Sequence, residues 1–210
     1  MIDPRCKFIK LYLPQTDVAL DIGCGDGSTS KMWTDNAKIL IGLDMQKDRL
    51  RVAKKNIRCV VAGDVTKICL RDGSVDCVIA GEVIEHFADA GVMLKEVWRI
   101  LKDDGCLILT TPNGKRLSSR LRKIFGRERK FPRAVGRMQD NMQHDETDMH
   151  YKEYAADELS TTLKKFGFEI EKMRGSYVFD YYNVALGSWL AKIRPNLGVH
   201  LVVKARKVKK

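Results

Sequence analysis

Within the stretch GEVIEHF (81–87), Glu82, Glu85 and His86 stand at i, i+3 and i+4. A helical turn places all three on one face. An imidazole titrates near neutrality, which suits His86 to act as a general base. Glu82, Glu85 and His86 together also suit a divalent metal, Mg²⁺, Mn²⁺, Fe²⁺ or Zn²⁺, which would lower the pKa of a bound hydroxyl. His144 or His150, in QHDETDMHYKEY, could supply a further ligand. The plainer alternative is that Glu85 and His86 cap or pair at a helix start while Glu82 touches a cofactor.

A second chemical signal lies upstream. In LDIGCGDG (20–27), Gly23, Gly25 and Gly27 fall at alternate positions directly after an apolar run. Glycine admits positive φ and lets a ligand approach where a Cβ would stand. A helix starting near Ser28 would point its amides and positive dipole end at that ligand. A dinucleotide fingerprint needs a third glycine at position 28, which is Ser28 here. Asp21, just before the turn, would repel a pyrophosphate and favours a ligand with a cationic end. Asp44 closes the next apolar run, at the ~20-residue offset where an acid bonds ribose hydroxyls. Asp64 closes the third run, where a carboxylate can accept from an adenine amino group. Ribose, adenine and a positive end without phosphate describe S-adenosylmethionine.

On these residues the sequence resembles the class I S-adenosylmethionine-dependent methyltransferases, of the large type 11 group that includes the ubiquinone-biosynthesis O-methyltransferases. The resemblance runs from about residue 18 to 113 and resumes over 150–173. It implies Asp21, Gly23, Cys24 and Gly25 around the methionine moiety. It further implies Asp44 on the ribose with Met45 against the adenine, Asp64 and Val65 at the adenine edge, and Glu82 at the cofactor. EVWRILKDDGCLILTTPN resembles the family's helix and fifth strand, although Asp104-Gly105 stands where the family often has Pro-Gly. The E-x-x-E-H pattern resembles one that holds metal in ubiquinone O-methyltransferases and small-RNA 2′-O-methyltransferases.

The elements that must position these residues alternate. Apolar runs at 18–23, 38–44, 59–64, 75–81 and 106–113 read as strands buried on both faces of a parallel sheet. FEIEKMRG and GVHLVVKAR read as a sixth and a last strand. Helical spacing recurs in DAGVMLKEVWRILKDDG, with Gly105 as its expected stop, and in AADELSTTLKKFGF. The pattern predicts a single α/β domain over 1–210. Its sheet would be doubly wound, mostly parallel and seven-stranded with helices on both faces, Rossmann-like, with its crevice at the carboxyl strand ends.

The chain has 210 residues, 44% of them hydrophobic, and a mean hydropathy of −0.28. No apolar run approaches the ~18 residues that span a bilayer, and the first ten residues lack a secretion signal. A cytoplasmic location is expected. The six cysteines form no C-x-x-C pair, which points to reduced thiols rather than disulfides or a metal knuckle. The net charge of +11 is concentrated in 114–137, with ten Lys or Arg against Glu128 alone, and in the tail KARKVKK.

Two stretches interrupt the alternation, a basic insertion at 114–150 and an aromatic one at 176–196. In the first, Leu117, Leu121, Ile124 and Phe125 recur at helical spacing among the cations. Such a helix suits an anionic membrane surface, RNA or a pocket lid. In the second, Tyr177, Phe179, Tyr181, Tyr182 and Trp189 suit an apolar pocket wall. The reading reached is methyl transfer to a hydroxyl of a small amphiphilic or anionic acceptor, giving S-adenosylhomocysteine. RNA 2′-O-methylation and an inactive membrane- or anion-binding module are the alternatives.

Overall fold

The computed structural model describes residues 4–116, 150–176 and 191–209. Helix α1 (Pro4–Tyr12) leads into β1 (Thr16–Ile22), and a 3-10 segment (Ser30–Asn36) precedes β2 (Ala37–Asp44). Then come α2 (Lys47–Ala53), β3 (Cys59–Ala62), β4 (Val75–Gly81), α3 (Gly91–Ile100) and β5 (Leu101–Pro112). The described chain closes with α4 (Ala156–Lys165), β6 (Phe168–Gly175) and β7 (His200–Lys207). The seven strands form one sheet in the order β3-β2-β1-β4-β5-β7-β6. Strands β1 to β5 pair in parallel, and β7 runs antiparallel between β5 and β6. The order reverses between β1 and β4, so a ligand crevice opens outside the carboxyl ends of those two strands.

The near-continuous apolar runs have a direct cause in this sheet, because both faces are covered. On one face Val78, Ala80, Leu107 and Leu109 pack against α3 and α4 through Met93, Val97, Leu159 and Leu163. On the other, Cys77, Ile79, Cys106 and Ile108 pack against Cys6 and Ile9 of α1, Trp33 of the 3-10 segment and Leu50 of α2. Each fully buried Leu or Ile contributes about 1.5–3 kcal/mol, which makes this central strand pair the rigid part of the fold.

Two local expectations are corrected. The element after the glycine turn is the 3-10 segment, so no α-helix dipole addresses the turn. Helix α3 stops at Ile100, and Leu101 opens β5 at once. Asp104 takes the left-handed conformation there, with φ 61°, which aspartate tolerates better than most residues. A Cβ on Gly105 would stand 2.9 Å from the Lys102 carbonyl and 3.1 Å from that of Asp76. Gly105 thus serves a close strand approach, not a helix end. The expected basic helix of 117–125 and the five aromatic residues of the second insertion lie outside the described residues.

Candidate functional site

The glycine turn is built on the β1–β2 pair. Gly23 and Cys24 both donate their amides to the Leu43 carbonyl, at 2.8 and 3.2 Å. Gly23 has φ +68°, and a Cβ there would lie 2.8 Å from Val83 Cγ2. Gly25 has φ +55°, and the nearest atom to its missing Cβ is Arg49 Nη1 at 3.9 Å. Gly23 is required by its neighbours, whereas Gly25 opens onto the space where a ligand would approach.

Asp44 ties this turn to the end of β2. Its Oδ2 accepts from the Gly25 amide and its Oδ1 from the Gln46 amide, both at 2.8 Å. Each oxygen keeps a second lone pair for a ribose hydroxyl. Asp44→Ala is therefore expected to weaken S-adenosylmethionine binding at least ~10-fold, the loss of one charge-assisted hydrogen bond. Calorimetric titration measures it, and unchanged affinity would remove the ribose role.

Around the turn, Asp21, Gly23, Arg5, Ile9, Glu82 and Thr110 line a cavity of about 190 Å³. Asp21 is buried, accepts from Ser30 Oγ at 2.5 Å, and is pushed up to about 7 by its burial, against the Ser30 bond. A cationic ligand end would restore its charge. Cys24 is buried in the core beside Gly42, outside the residues that line this cavity, and its thiol is pushed up to about 12, mainly by burial, so it is not nucleophilic.

Met45, beside Asp44, is 69% exposed, an apolar surface that a planar base could cover. Asp64 is exposed, and its Oδ1 accepts from the Thr66 amide at 2.8 Å. The Val65 side chain is buried in the core, so only its backbone could meet an adenine edge. Helix α3 clamps this loop: Arg99 donates to the Ile68 and Leu70 carbonyls, and Glu96 accepts from the Ile68 amide.

Glu82 and Glu85 part company at the end of β4. Glu82 has φ 58°, left-handed backbone that a non-glycine residue seldom adopts, and only Ile84–His86 forms a 3-10 turn. Consecutive residues of β5 face opposite sides of the sheet, and each takes one carboxylate. Thr110 Oγ1 donates to Glu82 Oε1 at 2.8 Å, and Thr111 Oγ1 to Glu85 Oε2 at 3.0 Å. Glu82 sits on the α1 side, with Arg5 Nη1 at 3.1 Å and His200 Nε2 at 3.7 Å from its Oε2. The expectation that Glu82, Glu85 and His86 share one helical face is corrected by this turn.

Glu85 meets two imidazoles instead. One ligand atom each of Glu85, His86 and His150 lies within 4.8 Å of the others, a group that does not include Glu82. The His86 and His150 rings stand edge to face, 5.1 Å between centroids. Backbone hydrogen bonds bring His150 there: the Tyr151 and Lys152 amides donate to the Glu85 carbonyl, at 2.8 and 3.2 Å. Glu85 is fully buried, and its Oε1 finds no partner among the described residues. Burial, then the charge of nearby Glu82, pushes its carboxyl up to about 8.

Asp21 and Glu85 give the folded chain an unusual pH response. Above pH ~4 the unfolded chain ionises both, while the folded chain keeps their protons until about 7 and about 8. The folded state then binds more protons, so stability falls as pH rises through that window. The urea midpoint of the ligand-free chain is expected to decline from about pH 5.5 to about pH 8, with Asp21→Asn/Glu85→Gln flattening the curve. A flat wild-type profile would mean that both carboxyls ionise freely.

Arg5, Thr110, Thr111 and His200 were not singled out from the sequence. Thr110 and Thr111 carry a readable signal, two adjacent hydroxyls at the carboxyl end of an apolar strand. Arg5 and His200 carry none, since α1 and the start of β7 reach the site only through the tertiary fold. Of the basic insertion, Lys115 and Arg116 are described, and they pair with Asp157 and Glu153 at 3.0 Å each.

The sheet order, the glycine turn at the switch point and acids ending β2 and following β3 define a nucleoside-binding α/β domain. Residues 20–109 match the family model of a methyltransferase domain. A protein of Mycolicibacterium smegmatis described as a probable S-adenosylmethionine-dependent methyltransferase is 30% identical over 163 residues, 75% of this chain and 54% of that one. The malonyl-[acyl-carrier protein] O-methyltransferase of Serratia marcescens is 29% identical over 94 residues, 44% of this chain and 37% of that one. The chain thus spans about half, or less, of the length of these curated relatives. Among solved structures, an S-adenosylmethionine-dependent methyltransferase of Thermotoga maritima superposes with a TM-score of 0.70 over 97% of this chain and 87% of that one. At 22% identity that likeness speaks for the fold. Over residues 20–109 the chain is thus similar to a methyltransferase domain, and its fold is that of the class I S-adenosylmethionine-dependent methyltransferases. No described helix is long and apolar enough to cross a membrane.

Proposed function

We propose that this chain transfers a methyl group from S-adenosylmethionine to a hydroxyl oxygen of a small acceptor. The observation that carries the acceptor side is the Glu85–His86–His150 group, set one turn beyond the strand that borders the cofactor cavity. S-adenosylmethionine supplies a methyl group activated on a sulfonium. Asp44, Met45, Asp64 and the Val65 backbone would hold its adenosine, and Asp21 with the Gly23–Gly25 turn its methionyl end. Displacement at a methyl carbon is mainly a problem of alignment, and positioning alone supplies up to ~7–11 kcal/mol in well-oriented systems. The residue-level task left is to take the acceptor's proton, and His86, half-buried beside Glu85, is the group for it.

The same three residues fit a divalent cation. One carboxylate and two imidazoles suit Mn²⁺, Fe²⁺ or Zn²⁺ better than Mg²⁺, and Glu85 Oε1 has a lone pair to give. Such an ion would lower the acceptor hydroxyl's pKa. The Serratia relative is named an O-methyltransferase, which agrees with an oxygen acceptor. For RNA, the basic residues beyond Arg116 would carry recognition, and they lie outside the described part of the chain.

Calorimetric titration with S-adenosylmethionine, before and after chelation and with Mn²⁺ added, tests the reading. Micromolar cofactor binding, with a separate metal heat lost in Glu85→Gln, is the expected result. Methylation of small hydroxylated acceptors should then follow. Methylation of an RNA oligonucleotide alone would move the acceptor class, and no cofactor heat would leave an inactive binding module.

A further inference from the structure

Cys77 of β4 and Cys106 of β5 are register partners in the central parallel pair. Both side chains enter the core under α1 and the 3-10 segment, and their Sγ atoms are 3.0 Å apart. Neighbouring strands run about 4.8 Å apart, inside the Cα separation that a disulfide spans. Both residues are free thiols in this structure. They differ in access: Cys77 is 0% exposed, whereas Cys106 is 6% exposed and lines a groove. That groove, of about 780 Å³, lies at the amino-terminal edge of the sheet, bordered by Asp76, Lys102, Gly105 and Lys204. It is the edge opposite the glycine turn and the Glu85 group, so the methyl-transfer site does not use these sulfurs.

We propose that Cys77 and Cys106 are a redox-active dithiol that closes to a cross-strand disulfide when a peroxide reaches Cys106 through this groove. The asymmetry of the pair assigns the order of events. A hydrogen bond from Cys77 and then the Lys204 charge favour the Cys106 thiolate over an ordinary thiol, while burial holds Cys77 protonated. The Cys106 thiolate attacks a peroxide oxygen; an S–O bond forms, the O–O bond breaks and, for hydrogen peroxide, water leaves once protonated. Cys77 then attacks the sulfenic sulfur of Cys106. The S–S bond forms, the S–O bond breaks, and the Cys77 proton leaves with the hydroxyl as a second water. Two thiols are oxidised and one peroxide is reduced. The cross-link joins the strands that lead to Glu82 and to Thr110–Thr111, so it fixes the base of the site without touching it.

The test uses the full chain with Cys59→Ser and Cys69→Ser, which removes the two exposed thiols. After treatment with equimolar hydrogen peroxide, non-reducing peptide mapping should yield a Cys77–Cys106 linked pair with the loss of two hydrogens. Dithiothreitol should reverse it, and the oxidised protein should melt at a higher temperature than the reduced one. In a Cys77→Ala variant of the same background, dimedone should trap a sulfenic acid on Cys106. Both thiols still alkylatable after unfolding, or Cys106 carried to a sulfinic acid with Cys77 free, would overturn the proposal. Failure of dimedone to label Cys106 would overturn it as well.

Discussion

His86→Ala is expected to lower turnover by about 10²–10⁴-fold, the span of a positioned general base or of the metal ligand that replaces it. Cofactor affinity should stay within about twofold, because His86 stands on the Glu85 side while the cavity around Asp21 opens between Glu82 and α1. The split between an unchanged binding heat and a collapsed rate is the diagnostic result. A base and a metal ligand then separate by pH: loss of a base flattens the acid limb of kcat, while loss of a ligand makes the residual rate insensitive to chelation. Wild-type turnover would leave His86 as a structural partner of His150 alone.

Gly23→Ala is expected to destabilise the chain by about 2–4 kcal/mol, combining the left-handed backbone cost with a buried clash. At φ +68° the new Cβ would also press on Val83 Cγ2 at 2.8 Å, and Val83 is buried next to Glu82. Gly25→Ala provides the contrast. Its φ is +55° and nothing stands closer than 3.9 Å to the new Cβ, so stability should drop by only about 1 kcal/mol. Yet that methyl would occupy the space a methionyl group needs, and cofactor binding should fall sharply. Urea unfolding and cofactor titration on the two variants check both halves. Equal stability losses would show that the Val83 contact relaxes freely.

The strands and the glycine turn of the candidate site are largely legible in the sequence, because buried parallel strands write their faces as unbroken apolar runs and end at acids. The match of β1, β2 and β4 to the expected runs, and the Gly25–Asp44 contact, follow from that grammar. The surroundings of Glu85 are legible only in part. The spacing of Glu82, Glu85 and His86 suggests a helix, but Glu82 takes left-handed backbone and turns away toward Arg5. No pattern in residues 81–87 encodes that choice, which depends on Thr110 and Thr111, 28 and 26 residues further along from the carboxylates they bond, facing opposite sides of the sheet on β5. Two backbone amides, of Tyr151 and Lys152, bond the Glu85 carbonyl and bring His150 to it, while His144 lies outside the described residues. Helix α1 is not legible in the sequence because only Cys6 and Ile9 of its described residues are buried, too few to stand out as a period.

The same anchors have a wider consequence. Just before residue 117, Gly114 donates to the Tyr154 carbonyl, and Lys115 and Arg116 pair with Asp157 and Glu153. Just after residue 149, the Tyr151 and Lys152 amides donate to the Glu85 carbonyl. The described residues on either side of 117–149 are therefore both held at the carboxyl edge of the sheet. Doubling the length of a segment tethered in this way costs only ~0.6 kcal/mol of closure entropy. Differences in chain length between these two anchors would therefore cost the rest of the fold little.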